Sequence, residues 1–265
     1  MKHKIMKNKE KTFVDIIMPN YNKGEHLEEA INSVLGQSYK HWRLYIIDDF
    51  SNDTSQEILK KFKKEKKIKI INLNKHQGPA FCRNKGISIS RSNYISFLDS
   101  DDYWPKNKLS SQLNFMKSKN IEFCYTDYIS FYKEKNKNYF KRTNIKDQLN
   151  LDKFVRNSSI NTSTMILKRQ LLKKIKFKSL KKHEDYIFKC EIFKKNKNLL
   201  AIKFKKTFAY YRILKNSRSR DKIKSLYYLW IYNKKFNNFS IIENILSIFF
   251  ISLNSIKKYG FKMGV

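Results

Sequence analysis

Short apolar runs, polar loops and helical spacings succeed one another through the first part of the chain. Residues 12–18 are almost continuously apolar and predict a strand that Pro19 stops, followed by a turn over Asn20-Tyr21-Asn22-Lys23-Gly24. Leu27, Ala30, Ile31, Val34 and Leu35 then recur at helical spacing, with Glu25, Glu28 and Glu29 toward the end where the helix dipole favours acids. The unit repeats. Residues 42–47 predict a second strand, Asp48-Asp49-Phe50-Ser51-Asn52-Asp53 its C-terminal loop, and 54–62 a helix capped by Thr54 or Asp53. Residues 68–73 predict a third strand, 74–79 its loop, and 80–90 a short helix carrying Arg83 and Asn84. The fourth strand, 94–98, ends in Asp99-Ser100-Asp101-Asp102. Repeated strand, loop and helix units predict an α/β fold with a mostly parallel central sheet flanked by helices. Ligands in such sheets sit outside the C-terminal strand ends, where Tyr21, Asp49, Arg83 and the acids 99 to 102 all fall.

The second half is less regular. Residues 115–119 close a helix, 121–125 predict a strand, 133–147 a hairpin or loop, and 151–155 a short helix. His183-Glu184-Asp185 opens a helix with Ile187, Phe188 and Phe193 on one side. From Lys222 two helices are expected, the second apolar nearly all round; its uncharged run, 244–256, is shorter than the roughly 20 residues a spanning helix needs.

Charge changes this picture little. The sequence has 57 Lys and Arg against 23 Asp and Glu, a formal net charge of +34. That balance suits an anionic partner. The lysines are spread along the whole length and not gathered on one recognition helix, so nucleic acid is not the expected partner. Cys82, Cys124 and Cys190 are odd in number and far apart, which suits a reducing compartment and neither a disulfide framework nor a zinc site. With no signal peptide pattern in the N-terminal segment, a cytoplasmic protein is expected.

The acidic cluster changes it more. Three carboxylates within four residues repel one another unless a cation or hydrogen-bond donors stabilise them, and a helix cap needs only one, so a hard metal ion is the simplest explanation. Asp102, ahead of Tyr103-Trp104-Pro105, is the one suited to capping or orienting the loop. Asp48 and Asp49 also suit a loop and helix cap, Arg83 could serve only to pair a carboxylate, and Glu184-Asp185 could be ordinary first-turn acids. No Gly-x-Gly-x-x-Gly follows the first strand and no glycine-rich loop precedes a Lys-Ser/Thr pair, so neither a dinucleotide fold nor a P-loop is supported. A nucleotidyltransferase is disfavoured for want of a glycine-rich phosphate loop.

Four motifs in order carry a resemblance: Ile16-Ile17-Met18-Pro19-Asn20-Tyr21-Asn22 with Gly36-Gln37-Ser38-Tyr39, Ile46-Ile47-Asp48-Asp49, Gly78-Pro79-Ala80-Phe81-Cys82-Arg83-Asn84, and Phe97-Leu98-Asp99-Ser100-Asp101-Asp102. From about residue 14 to 212 the chain resembles the inverting family 2 glycosyltransferases of the GT-A fold, of the bacterial kind that builds polysaccharide, capsule or lipopolysaccharide. The resemblance implies that Pro19, Tyr21 and Asp49 hold the nucleoside of a nucleotide-diphospho-sugar donor, a UDP-sugar first. It places Asp99 against ribose or sugar, Arg83 near the diphosphate or the donor sugar, Arg212 near the diphosphate, and Mg2+ or Mn2+ on Asp101. Asp185 matches the base that deprotonates the hydroxyl of a glycan or lipid-linked glycan acceptor, residues 160–167 resemble the family's strand facing the donor sugar, and residues 208–212, with Ser217 and Ser219 beyond, resemble its closing strand and flexible loop. Phe50 and Phe81-Cys82 depart from the family's usual small residues. The implied division is a catalytic domain over 1–221, with a nucleotide-binding half at about 12–105 and an acceptor half at about 106–221, then a helical tail over 222–265. The tail would form an interfacial pair of helices on the inner face of the membrane, where an anionic leaflet meets the excess charge; core packing or dimerisation is the competing account. The alternative function is a non-catalytic module on the same fold that binds sugar nucleotide or glycan.

Overall fold

The computed structural model describes residues 12–134, 137–143, 146–214 and 221–259. β1 (Val14–Asn20), α1 (Gly24–Leu35), β2 (Trp42–Asp48), α2 (Ser55–Phe62), β3 (Ile68–Asn72), α3 (Pro79–Ile89) and β4 (Tyr94–Phe97) follow the predicted alternation. These strands are parallel and lie side by side in the order β3-β2-β1-β4. β1 differs from expectation by continuing through Pro19. Its register with β4 ends at Ile17↔Phe97, so the missing N–H of Pro19 faces no partner strand on that side. α3 lies directly on β1: a Cβ on Gly86 would come within 2.4 Å of Ile17 Cγ2.

α4 (Lys108–Ser118) leads into β5 (Phe123–Glu134) and β6 (Lys137–Arg142), the hairpin expected between 133 and 147. β7 (Gln148–Leu149), α5 (Leu151–Val155), β8 (Ile166–Lys168), α6 (Glu184–Lys195) and β9 (Ala201–Arg212) complete the sheet, with β8 antiparallel to both β4 and β5 and β9 parallel to β5. Within the strand expected over 160–167 the chain makes a 3-10 turn, Thr162–Thr164, and becomes strand only at Ile166. Asn161 draws the chain into that turn: its Oδ1 accepts from the Ser163 amide at 2.7 Å and its carbonyl from the Thr164 hydroxyl at 2.7 Å. β9 begins earlier than the apolar run 208–212 suggested. Lys203 breaks the hydrophobic pattern, but it is buried with its ammonium 3.1 Å from Asp147 and 3.6 Å from Asp127.

Gln37 fixes the base of the acid loop. Fully buried, it donates to the Pro105 carbonyl at 2.9 Å and accepts from the Leu109 amide at 3.0 Å, tying the end of α1 to the start of α4. The three cysteines are free and buried. α7 (Lys222–Tyr232) and α8 (Ile241–Tyr259) supply the two expected terminal helices. α8 is not apolar all round: Asn244 and Ser247 are buried on the side packed against the protein. Among the described residues no helix is long and apolar enough to cross a membrane. Ser217 and Ser219, expected in a loop after β9, lie outside the described residues.

Candidate active site

The C-terminal ends of β1, β2 and β4 and the N-terminal ends of α3 and α6 form one acidic crevice. At the β2 end the two adjacent aspartates separate by role. Asp48 is fully buried and its carboxylate accepts from Asn20 Nδ2 at 2.7 Å, Ser51 Oγ at 2.7 Å and Gln56 Nε2 at 2.6 Å, so it organises the loop. Asp49 accepts instead from the amides of Gln77 at 2.7 Å and Gly78 at 2.8 Å, with His76 Nδ1 2.9 Å away. Gly78 has φ +87°, a conformation that a side chain would strain and that the turn into α3 requires. The exposed Tyr21 ring lies 4.2 Å from the His76 ring, and Pro19 is buried behind it in β1.

The acid loop after β4 divides further. Asp102 is buried and accepts from Ser163 Oγ at 2.6 Å and from the Arg212 amide at 3.1 Å; burial, with Asp101 and Asp99 beside it, pushes its carboxyl well above the ordinary range. Asp101 reaches the mouth and pairs with Lys23 Nζ at 3.1 Å. Asp99 accepts from Arg83 Nη2 at 2.7 Å. Trp104 donates through Nε1 to the Ser163 carbonyl at 2.8 Å, and Tyr103 bridges to Tyr210 with stacked rings 4.5 Å apart, which holds β9 across the loop. Arg212 donates through Nε to the Asp101 carbonyl at 3.1 Å and pairs with Glu29.

Arg83 joins this loop to α6. Its guanidinium is buried over the Phe177 ring at 5.3 Å and lies 3.6 Å from Glu184 Oε1, while Nε and Nη1 have no hydrogen-bond partner among the described residues. Burial disfavours its charge, but Asp99 and Glu184 reverse this and hold it cationic. The next residue, Asp185, is 41% exposed and accepts from Lys189 Nζ at 2.7 Å, one helical turn on, while the Lys189 side chain is only 1% exposed. Burial would raise the Asp185 carboxyl; the Lys189 ammonium, with Arg83 and His183 nearby, outweighs it and holds the group down at about 2.

The structure therefore brings Tyr21, Asp49, Arg83, Asp99, Asp101 and Asp185 together at the C-terminal end of the parallel strands, with Arg212 bonded to the Asp101 carbonyl and Pro19 buried in β1. Sequence reasoning missed His76, Lys23, Ser163 and Lys189. Only Lys189 had a local signal, its i+4 spacing from Asp185. No group of three or more His, Cys, Asp or Glu side chains able to hold a metal occurs among the described residues, because the three loop carboxylates take different partners. An all-protein cage is thus not built. Asp101 still fits a Mg2+ or Mn2+ ion that takes one or two carboxylates and draws its other ligands from phosphate and water.

The model for glycosyl transferase family 2 matches residues 15–176. An Escherichia coli relative, UDP-Glc:alpha-D-GlcNAc-diphosphoundecaprenol beta-1,3-glucosyltransferase WfgD, is 32% identical over 252 residues, covering 94% of this chain and 95% of its own. The crystal structure of S. aureus TarS 1-349 in complex with UDP-GlcNAc aligns with a TM-score of 0.68 over 93% of this chain and 73% of that one, at 18% identity. The mannosyltransferase PcManGT from Pyrobaculum calidifontis, in complex with GDP-Man and Mn2+, aligns with a TM-score of 0.66 over 91% and 72%, at 13% identity. At those identities the two structures share the fold, the α/β architecture of the GT-A type.

Proposed function

This chain belongs to the family 2 glycosyltransferases, and we propose that it moves a sugar, with inversion, from a UDP-sugar to a hydroxyl of a lipid-linked glycan at the cytoplasmic face of an anionic membrane. One observation carries the reading: Arg83 is shared between Asp99 at 2.7 Å and Glu184 at 3.6 Å, so the loop suited to the donor and the turn bearing Asp185 meet around a single cation. The donor class is supported by the UDP-GlcNAc complex of the TarS neighbour, and the acceptor class by the name of the Escherichia coli relative.

Single displacement at an anomeric carbon needs one group to take the proton of the attacking hydroxyl. Asp185, ionised across the neutral range and partly exposed, takes that role. Tyr21 and His76 offer ring faces to the base, Asp49 orders the loop beside it, and the Arg83 guanidinium, held cationic, suits the anionic donor. A divalent ion on Asp101, when bound with the donor, would stabilise the charge that develops on the leaving diphosphate.

The test is transfer from UDP-sugars to an isoprenoid-diphosphate-linked acceptor by wild type and Asp185→Asn. Asp185→Asn is expected to lower kcat about a hundredfold or more while UDP binding stays within about twofold, as loss of a general base does. Equal kcat in the two proteins would remove Asp185 as the base. UDP binding without turnover in the wild type would instead favour a binding module.

A further inference from the structure

α8 presents most of its large apolar side chains outward, while Ile248 and Ile251 pack on the core. Three polar side chains also face the protein: Asn244 donates to the Trp230 carbonyl at 2.9 Å, Ser247 to the Val155 carbonyl at 2.6 Å and Asn254 to the Arg156 carbonyl at 3.1 Å. Its large apolar side chains face outward in one continuous stripe, Ile242, Ile245, Phe249, Phe250, Leu253 and Ile256, with Ile245 53% and Phe249 54% exposed. On α7 Ile223 and Tyr227 are exposed as well. A contiguous outward stripe of this kind marks an interaction surface.

The charge around the stripe selects its occupant. After Asp221 the sequence contains one acid, Glu243, against seven lysines, Lys224, Lys234 and Lys235 among them. Glu243 is itself engaged, accepting from the Ser240 amide at 2.8 Å in a reciprocal helix cap. A second copy of a chain with net charge +34 would bring like charges together at this face. An anionic bilayer complements both the apolar stripe and the lysines. The hydrogen-bonded inner side of α8 keeps it on the protein, so the helix lies on the surface and does not enter as a span.

The helix pair is fastened to the helix that bears Asp185. Tyr186 donates through its hydroxyl to Asn233 Oδ1 at 2.9 Å, and Asn233 Nδ2 donates to Asn244 Oδ1 at 3.1 Å and Ser247 Oγ at 3.2 Å, all buried. His183 Nε2 lies 2.8 Å from the Ser225 carbonyl oxygen. These contacts flank Asp185 on both sides in sequence.

We propose that the outer face of α8 is a docking surface for an anionic lipid bilayer, which holds the Asp185 end of the crevice at a fixed height over the membrane. This rests on the reading of the acceptor as lipid-linked. The experiment is sedimentation of the full chain with vesicles of phosphatidylcholine alone or with added phosphatidylglycerol, comparing wild type, Ile245→Ser with Phe249→Ser, and Asp185→Asn. Wild type and Asp185→Asn are expected to bind the anionic vesicles and the double variant to bind about tenfold less, as loss of interfacial apolar area predicts. The double variant should keep its transfer to a soluble acceptor and its circular dichroism. If it does not fold, amide exchange of the wild type gives the answer, since vesicles should slow exchange across α8. Equal binding by wild type and double variant, or no change in exchange at α8, would falsify the proposal. A dimer in sedimentation velocity that the double substitution dissociates would assign the face to a second copy instead. Loss of transfer by the wild type with vesicle binding intact would count against the acceptor reading and not against the docking surface.

Discussion

Replacing Lys189 with methionine isolates the electrostatics of the proposed base. Lys189 is 1% exposed and its ammonium sits 2.7 Å from Asp185, while methionine fills similar space without charge. Burial pushes the Asp185 carboxyl up, and Lys189 is the first of the groups that pull it below ordinary, to about 2. An unperturbed aspartate titrates near 3.9, so removing the ammonium should return the group to roughly pH 4 to 5, a rise of about two to three units limited by water at its exposed edge. The assay is kcat/KM for transfer between pH 4 and 8. Wild type is expected to show no acid limb in that range, because Asp185 stays ionised throughout it. Lys189→Met should show one, rising with unit slope and centred near pH 4 to 5, and Lys189→Arg should restore the flat profile. The sign of the stability effect follows from the same depression. The Asp185 contribution is complete above the unfolded value near 3.9 and is lost as pH falls toward 2. Identical pH profiles for wild type and Lys189→Met would refute the reasoning, since a carboxylate acting as base cannot lose its nearest cation without its titration moving.

Two further substitutions probe the scaffold. Lys108 is fully buried, bonded to Gln112 Oε1 at 3.1 Å and placed 4.1 Å over the Trp104 ring, and burial pulls its ammonium down to about 7. Between that value and the unfolded value near 10.4 the unfolded chain holds a proton the native one lacks. The stability of wild type relative to Lys108→Met should therefore rise by about 1.4 kcal/mol per pH unit from pH 7 to 10. Urea denaturation at several pH values reads this, and a constant difference would contradict it. Asp49→Ala removes the acceptor for the Gln77 and Gly78 amides and should weaken UDP binding about tenfold by calorimetry, at roughly 1.5 kcal/mol for charge-assisted hydrogen bonds. Unchanged affinity would exclude Asp49 from the nucleoside site.

Much of the first half of the fold was legible because its signals are local. β2, β3 and β4 are short apolar runs bounded by turn residues, and the helices after β1, β2 and β3 carry apolar positions at helical spacing. The second half was harder. β9 is hidden by Lys203, whose burial depends on Asp127 and Asp147 from other strands. The strand expected over 160–167 loses its first part to a turn capped by Asn161. α8 looked apolar all round because Asn and Ser are few in it. That those few line the packed face could be known only once Val155, Arg156 and Trp230 were seen to supply the carbonyls.

By itself the sequence placed the acids of residues 99–102 at the end of β4 and Glu184-Asp185 at the start of α6, since each stands beside a strand or helix end that local periodicity defines. Tertiary structure decided which partner each one takes. Asp102 is buried against Ser163, Asp101 is at the mouth with Lys23, Asp99 is on Arg83, and Asp185 is held ionised by Lys189. Periodicity reports which face of an element is apolar, whereas the state of a carboxylate depends on the charges and donors within a few ångströms of it. Except for Lys189, those come from distant parts of the chain.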